Sequence, residues 1–303
     1  MLGSHLSVAG GLHHAVNEAA SLGFETVQIF THAPARWAVE PAPSGGGWRG
    51  MEIEAAAAEA WRAAVAKHGF RVTVVHDSYL INLASTDDAL WEKSVAAFTA
   101  ELSRCHQLGV TYLVSHPGAH QGAGESVGLR RVIDALDEVH RRLPEVSTLT
   151  CLEVTAGQGS SLGYTLEHLA AILDGVKQGQ RLGVCLDTAH LFAAGYDFRG
   201  RRYVPFRRRV QATLGLDRVK VWHVNDSAKP LGSRVDRHAH IGHGCIGVEG
   251  FRALMRDEQW TEVPKILETP KAKHPSGRPW DEVNRELLLE LAGNGSTRSG
   301  RRR

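Results

Sequence analysis

Eight short runs rich in β-branched and other apolar residues recur along the chain, and each is followed by a longer amphipathic segment. This alternation predicts a parallel sheet, because each helix carries the chain back to the start of the next strand. Eight regular repeats favour closure into a (β/α)8 TIM barrel over an open, doubly wound sheet, the competing arrangement. The predicted strands cover residues 2–7, 26–30, 71–76, 111–116, 149–154, 182–187, 219–224 and 264–269, and the predicted helices cover 12–22, 52–68, 88–108, 125–142, 165–176, 202–214, 247–257 and 281–292.

The length of the chain suits one such α/β barrel. It has 303 residues, of which 43% are hydrophobic, so one large core is feasible. Because no linker separates the repeats, we expect a single barrel domain over residues 1–292 and a disordered basic tail over 293–303. The glycine-rich stretch 44–50 is interpreted as a flexible loop after the second strand.

Composition limits the compartment and the partners. The net charge is only +2, so a nucleic acid would have to be met by a local basic surface. No window of 18 or more apolar residues exists and no leader pattern opens the sequence, so we expect a cytoplasmic protein without a membrane partner. The cysteines are scattered, and we expect reduced, mostly buried thiols at Cys105, Cys151, Cys185 and Cys245.

The ends of six consecutive predicted strands carry side chains that can bind metal ions. One strand-end histidine alone is more often structural, but six acidic or imidazole groups in one enclosed rim would leave costly unpaired charges without bound cations. A barrel brings these strand ends together at its C-terminal mouth. The six residues are His76, His116, Glu153, Asp187, His223 and Glu268.

Three further residues are expected at the same mouth. His190 follows Asp187 by three positions, and Asp236 and His238 lie in the long loop after the seventh strand. Nine donors are too many for one ion, since zinc takes about four ligands, and they fit two or three clustered ions. The imidazole-rich set favours zinc, with manganese or iron as alternatives.

The motifs around these residues resemble those of the endonuclease IV family, the zinc-dependent apurinic/apyrimidinic endonucleases of base excision repair. The resemblance covers residues 3–291, and no single motif would be sufficient. The motifs are GSHLSVAGGL (3–12), HDSYLINL (76–83), HPGAH (116–120), LEVTAGQGSSLG (152–163), GVCLDTAHLFAAGYD (183–197), HVNDSAKPLGSRVDRHAHIGHGCIG (223–247) and ILETP (266–270).

The resemblance implies three zinc ions per chain, with Mn²⁺ able to occupy one site. His76 and His116 would hold the first ion, and Glu153 would bridge it to the second. The second ion would also bind Asp187, His223 and Glu268, and the third would bind His190, Asp236 and His238. Glu153 and Glu268 are the expected catalytic residues. The implied reaction is hydrolysis 5′ to an abasic site, leaving a 3′-hydroxyl and a 5′-deoxyribose phosphate. Bound metal would supply the nucleophile, because it lowers the pKa of water to about 7.

The implied partner is double-stranded DNA containing abasic sites, bound by a monomer. Tyr79 and Leu80 match positions that the family inserts at the lesion, although packing on the barrel rim is an equal alternative on sequence alone. The family has an Asn and an Arg where this chain has Ala33 and Ala35, which leaves lesion recognition in question. Candidate phosphate contacts are Arg36, Lys229, Arg234 and Arg237.

Two other functions fit parts of the pattern. A divalent-metal sugar isomerase or epimerase on a related barrel needs about four ligands, which leaves His190 and the Asp236–His238 pair without a role. A lesion-binding protein without incision activity would not need an open metal cluster. The GQGSSLG stretch (157–163) lacks the Lys-Ser/Thr of a phosphate-binding loop, so we expect no nucleotide cofactor.

Overall fold

The structure is a computed structural model that describes residues 1–42 and 47–293. Over these residues the strands are β1 (Leu2–His5), β2 (Thr26–Ile29), β3 (Val39–Pro41), β4 (Trp48–Gly50), β5 (Val74–His76), β6 (Tyr112–Ser115), β7 (Leu149–Glu153), β8 (Leu182–Asp187), β9 (Val219–His223), β10 (Asp226–Ser227), β11 (His238–Ala239) and β12 (Lys265–Leu267). The α-helices are α1 (Leu12–Ser21), α2 (Ala55–His68), α3 (Asp88–Leu108), α4 (Glu125–Arg142), α5 (Leu166–Gly175), α6 (Thr188–Ala193), α7 (Tyr203–Thr213), α8 (Val248–Arg256) and α9 (Trp280–Leu291).

Eight of the strands close into a barrel. Around the ring the order is β1, β2, β5, β6, β7, β8, β9 and β12, and β12 pairs with β1. Every neighbouring pair is parallel. The predicted strands and the (β/α)8 fold class are therefore confirmed. The predicted end of α2 also agrees, because Gly69 follows the helix in the left-handed conformation (φ 67°) that favours glycine.

The interior of the barrel explains why the strand ends point into the mouth. Six strands each contribute one fully buried residue to a compact cluster inside the ring, apart from the main core between sheet and helices. Since side chains alternate between the two faces of a strand, the residue two positions later points inward as well. The successive inward pairs are Val74 and His76, Val114 and His116, Cys151 and Glu153, Cys185 and Asp187, Val221 and His223, and Ile266 and Glu268.

The segment after β2 differs from the expected flexible loop. Trp48–Gly50 forms β4, which pairs antiparallel with β3, so the loop prediction is wrong for these residues. The indole of Trp48 packs on the core and lies 4.3 Å from the Lys93 ammonium, which holds the hairpin on α3. Two parts of these predictions lie outside the described residues: 43–46 of the loop and 294–303 of the basic tail.

Two further expectations concern cysteines and membranes. The four cysteines are free, with Cys105, Cys151 and Cys185 buried and Cys245 exposed, which agrees with the sequence-based expectation. Among the helices of the described ranges, none combines the length and apolar character that crossing a bilayer requires.

Candidate metal centre

The carboxylate of Glu153 lies at the centre of the cluster at the barrel mouth. Its Oε2 is 3.1 Å from Nε2 of His76 and 3.1 Å from Nε2 of His116. Its Oε1 is 3.1 Å from Nδ1 of His190 and 3.0 Å from Nδ1 of His223. Glu153 is fully buried, and each oxygen faces two imidazoles, so the carboxylate is placed to bridge two neighbouring cations.

A second part of the cluster is built around His223. Its Nδ1 lies 3.1 Å from Oε2 of Glu268 and 3.9 Å from Oδ2 of Asp187. Asn225 connects these two carboxylates: its amide donates to Asp187 Oδ2 at 2.7 Å, and its carbonyl oxygen accepts from the Glu268 backbone N–H at 2.8 Å. These hydrogen bonds hold the ends of three strands in one arrangement.

The third part combines a short helix and a hairpin. Asp187 caps α6 by accepting a hydrogen bond from the backbone N–H of His190 at 2.7 Å, which fixes that imidazole beside the cluster. The pairing of β11 with β10 brings His238 opposite Ser227 and returns the long loop to the mouth. Asp236 then lies between two imidazoles, 3.2 Å from His190 Nε2 and 3.4 Å from His238 Nε2.

All nine predicted donors therefore lie in one continuous cluster, and their grouping is close to the division that the resemblance implies. Donor atoms within 4.8 Å of one another form three sets of acidic and imidazole residues. The third set contains Asp187 where Asp236 was expected, although Asp236 contacts both of its histidines. The sets are His76, His116 and Glu153; Glu153, Asp187, His223 and Glu268; and Asp187, His190 and His238.

The charges of the cluster are strongly coupled. Burial lowers the pKa of His76, but its hydrogen bond to Glu153 and that carboxylate's charge raise it to about 9. Burial raises the pKa of Asp236, yet the hydrogen bond and charge of His190 bring it down to about 2. Burial likewise opposes ionisation of Glu153, whose pKa is held well below its usual range by His223 and the other imidazoles. Ionised carboxylates in this buried cluster are therefore stable only next to positive charge.

The donor set fits divalent cations. Nε2 of His238 is buried and has no hydrogen-bond partner among the described residues. It lies 3.7 Å from Oδ2 of Asp187 and 3.4 Å from Oδ1 of Asp236, so this nitrogen and two carboxylates face a common point. Buried polar atoms are rarely left unpaired, and a metal ion at that point would satisfy all three groups.

Further residues, not predicted from the sequence, support the cluster. Gln28 on β2 is fully buried and contacts Glu268 at 2.6 Å and His223 at 2.8 Å. Asp226 accepts backbone N–H bonds from the loop that follows β11, including that of Ile246 at 2.9 Å. Asn225 and Asp226 follow His223 within three residues, which is a usable signal, whereas Gln28 lies between Val27 and Ile29 and has no such neighbour in the sequence.

An open cavity of about 670 Å³ adjoins the cluster at the mouth. Its wall includes the imidazoles of His116 and His190 on one side, and Tyr79 and Gln158 on the rim. The Tyr79 side chain is 66% exposed, and Leu80 beside it is half-buried. Tyr79 lines the cavity and its exposed ring is available to a ligand, whereas Leu80 is not among the residues that line it.

The predicted phosphate contacts are all exposed cations. Arg36 lies in the loop after β2, and Lys229, Arg234 and Arg237 lie in the loop between β10 and β11. Arg234 has a positive φ of 53°, and its guanidinium lies 4.7 Å from the ring centroid of Tyr164. Both loops follow barrel strands at their C-terminal ends, so the cations border the same mouth as the cluster.

The loop after β2 carries the departure noted in the sequence. Ala33 and Ala35 are exposed and offer no polar side-chain atoms. The loop is tied to the rim by the Ser78 hydroxyl, which donates to the Pro34 carbonyl at 2.6 Å. Arg36 is therefore the exposed cation that this loop presents near Tyr79.

Comparisons with known proteins agree with the geometry. The family described as "Xylose isomerase-like TIM barrel" matches residues 16–290. The probable endonuclease 4 of Chloroflexus aurantiacus is 46% identical over 290 residues, and the match covers 95% of this chain and 97% of that protein. The probable endonuclease 4 of Geobacter sulfurreducens is 44% identical, and the match covers 98% of this chain and 96% of that protein. The crystal structure of endonuclease IV from Thermus thermophilus matches with a TM-score of 0.81 and 35% identity, covering 97% of this chain and 99% of its own.

A D-tagatose 3-epimerase-like protein matches with a TM-score of 0.69 at 18% identity, covering 96% of this chain and 97% of its own, and shares the barrel fold alone. The two relatives named probable endonuclease 4 are 46% and 44% identical and match 95% and 98% of this chain. The chain therefore belongs to the endonuclease IV family of hydrolytic nucleases.

Proposed function

We propose that this chain is a DNA-repair endonuclease that hydrolyses the phosphodiester bond 5′ to an abasic site in double-stranded DNA. The products would be a 3′-hydroxyl and a 5′-deoxyribose phosphate. The observation that carries the proposal is the convergence of nine imidazole and carboxylate residues beside an open cavity, eight in the donor sets and Asp236 in contact with two of their histidines, in a chain of this family.

Three zinc ions per chain are part of the proposal, with Mn²⁺ able to replace zinc at one site. When bound, they would lower the pKa of a water nucleophile to about 7 and neutralise charge on the phosphate and the leaving oxygen. The three ions would be held by His76, His116 and Glu153; by Glu153, Asp187, His223 and Glu268; and by His190, Asp236 and His238.

The protein's own residues would orient the reacting groups. Four imidazoles fix the carboxylate of Glu153, and Gln28 and Asn225 fix Glu268. The two carboxylates are therefore suited to align the attacking water and the phosphate. The phenol of Tyr79 lines the cavity, and the side chains of Tyr79 and Leu80 would fill the gap in the stack of an abasic duplex.

The direct test is incision of a 5′-labelled duplex that contains one abasic analogue, with the same duplex carrying an intact base as the control. The proposal predicts one product whose end a DNA polymerase extends, because extension requires a 3′-hydroxyl. Chelation of metals should abolish incision, and added zinc should restore it. Product ends that cannot be extended, or incision unaffected by metal removal, would contradict the mechanism. Light scattering in solution tests the monomeric state.

The sugar isomerase or epimerase alternative is tested in parallel with a panel of ketoses. It needs about four ligands, so it gives no role to the contacts among His190, Asp236 and His238. Turnover of a ketose without incision of the abasic duplex would favour it. A mobility shift of abasic DNA without incision, by protein that contains its metals, would instead favour a lesion-binding protein.

A further inference from the structure

The structure assigns to Gln28 the role of a positioning residue that orients His223 and Glu268 toward one metal ion. The inference rests on the proposed metal centre, but it concerns a residue outside the donor set. Gln28 lies on β2, has no exposed surface, and is a polar residue in a strand otherwise formed by Thr26, Val27 and Ile29.

The chemistry of its neighbours dictates how the carboxamide is oriented. The Gln28 amide nitrogen lies 2.6 Å from Glu268 Oε1 and donates a hydrogen bond to this carboxylate oxygen. The same nitrogen lies 2.9 Å from Nδ1 of His5, which also lies 3.3 Å from Glu268 Oε1. The Gln28 carbonyl oxygen then faces Nε2 of His223 at 2.8 Å.

This orientation sets the tautomer of His223. A carbonyl oxygen can only accept, so Nε2 of His223 must carry a hydrogen and donate to Gln28. The lone pair available for a metal is then on Nδ1, the atom that faces Glu153 Oε1 at 3.0 Å and Glu268 Oε2 at 3.1 Å. One buried amide thereby directs an imidazole and a carboxylate to the same point, as supporting hydrogen bonds do around metal ligands.

The role of Gln28 is tested with zinc alone, by measuring zinc per chain in the purified protein across a series of buffered free-zinc concentrations. Gln28→Met keeps the volume and removes both hydrogen bonds. We expect one zinc ion per chain to require about 10- to 100-fold higher free zinc, while the others bind as in the wild type. Thr26→Val is the matched control, because Thr26 is buried on the same strand and donates to the Val72 carbonyl at 2.8 Å.

A second readout separates positioning from general destabilisation. In Gln28→Met, incision should fall at limiting zinc and recover as zinc is added, with KM for DNA unchanged, because Gln28 is buried and does not reach the substrate. If Gln28→Met does not fold, Gln28→Asn decides, since its shorter amide cannot reach both partners and should weaken the same site. Wild-type zinc curves in a folded variant would overturn the inference. The zinc measurement involves no DNA, so failure of wild-type protein to incise would reject the proposed function alone.

Discussion

His116→Ala separates the role of a metal ligand from a structural role most cleanly. The His116 side chain is 40% exposed, and its Nε2 faces Glu153 Oε2 at 3.1 Å. Because the imidazole is partly in solvent, its removal leaves no closed cavity, and we expect a change below about 1 kcal/mol in the free energy of unfolding of metal-free protein.

The expected effect on metal binding is much larger. Sites with about four ligands bind zinc with roughly 10–16 kcal/mol, which corresponds to about 2.5–4 kcal/mol per ligand. His116 is one of three donors in its set, so its loss should weaken that ion by roughly two to three orders of magnitude. Zinc per chain after dialysis should fall by one ion, and incision should fall by a similar factor at limiting zinc.

His120→Ala is the matched control from the same HPGAH motif. The His120 imidazole accepts a hydrogen bond from the Gly124 backbone N–H at 3.1 Å and belongs to none of the donor sets. Its loss should leave zinc content and incision close to wild type. Full zinc content together with near-normal incision in His116→Ala would refute the reasoning.

Three other perturbations test the rim and the charges of the site. Tyr79→Ala combined with Leu80→Ala should reduce the preference for abasic over intact DNA about tenfold or more in competition binding, whereas Val204→Ala, an exposed apolar control on α7, should not. Arg234→Ala should weaken DNA binding and reduce the slope of log affinity against log salt by about 1, and an unchanged slope would exclude a phosphate contact. In metal-free protein the pKa of His76 is about 9, so zinc binding at pH 7.5 should release protons, and zinc affinity should increase as pH rises to about 9. Calorimetry in two buffers of different ionisation enthalpy measures this proton release. Equal binding heats in the two buffers would contradict it.

The pH dependence has a further consequence for stability. His76 has its pKa raised above the ordinary value of 6.5, so its ion pairing stabilises the metal-free fold fully below about pH 6.5. That contribution is lost as pH rises through about 9. Zinc binding changes in the opposite direction, so the difference in melting temperature between zinc-loaded and metal-free protein should widen from pH 6.5 to 9.

Strand periodicity made most of the site accessible from sequence. Parallel strands of a closed barrel end at one mouth, and inward residues alternate, so His76 and Glu153 could be placed together without coordinates. The positions of Asp236 and His238 were harder to derive, because they depend on the hairpin between β10 and β11, and short loop pairings leave little periodic signal. The role of Gln28 could not be predicted for a different reason. It depends on the hydrogen-bonding atoms of neighbouring side chains, and the pattern of apolar residues along a strand carries no information about them.

The glycine-rich stretch 44–50 shows the same limit. Its glycines predict a loop, but Trp48 packs on the core and Gly50 approaches α3 so closely that an added Cβ would lie 2.5 Å from the Cβ of Ala100. Tertiary contacts of this kind convert a glycine-rich stretch into a strand, and local composition cannot reveal them.

If nine side chains at one barrel mouth hold three zinc ions, anomalous diffraction at the zinc edge from crystals of untagged protein will locate the ions. We expect three anomalous peaks inside the ring of donors, one of them bridged by Glu153 to its neighbour. A single peak, or peaks away from these residues in protein that incises abasic DNA, would contradict it.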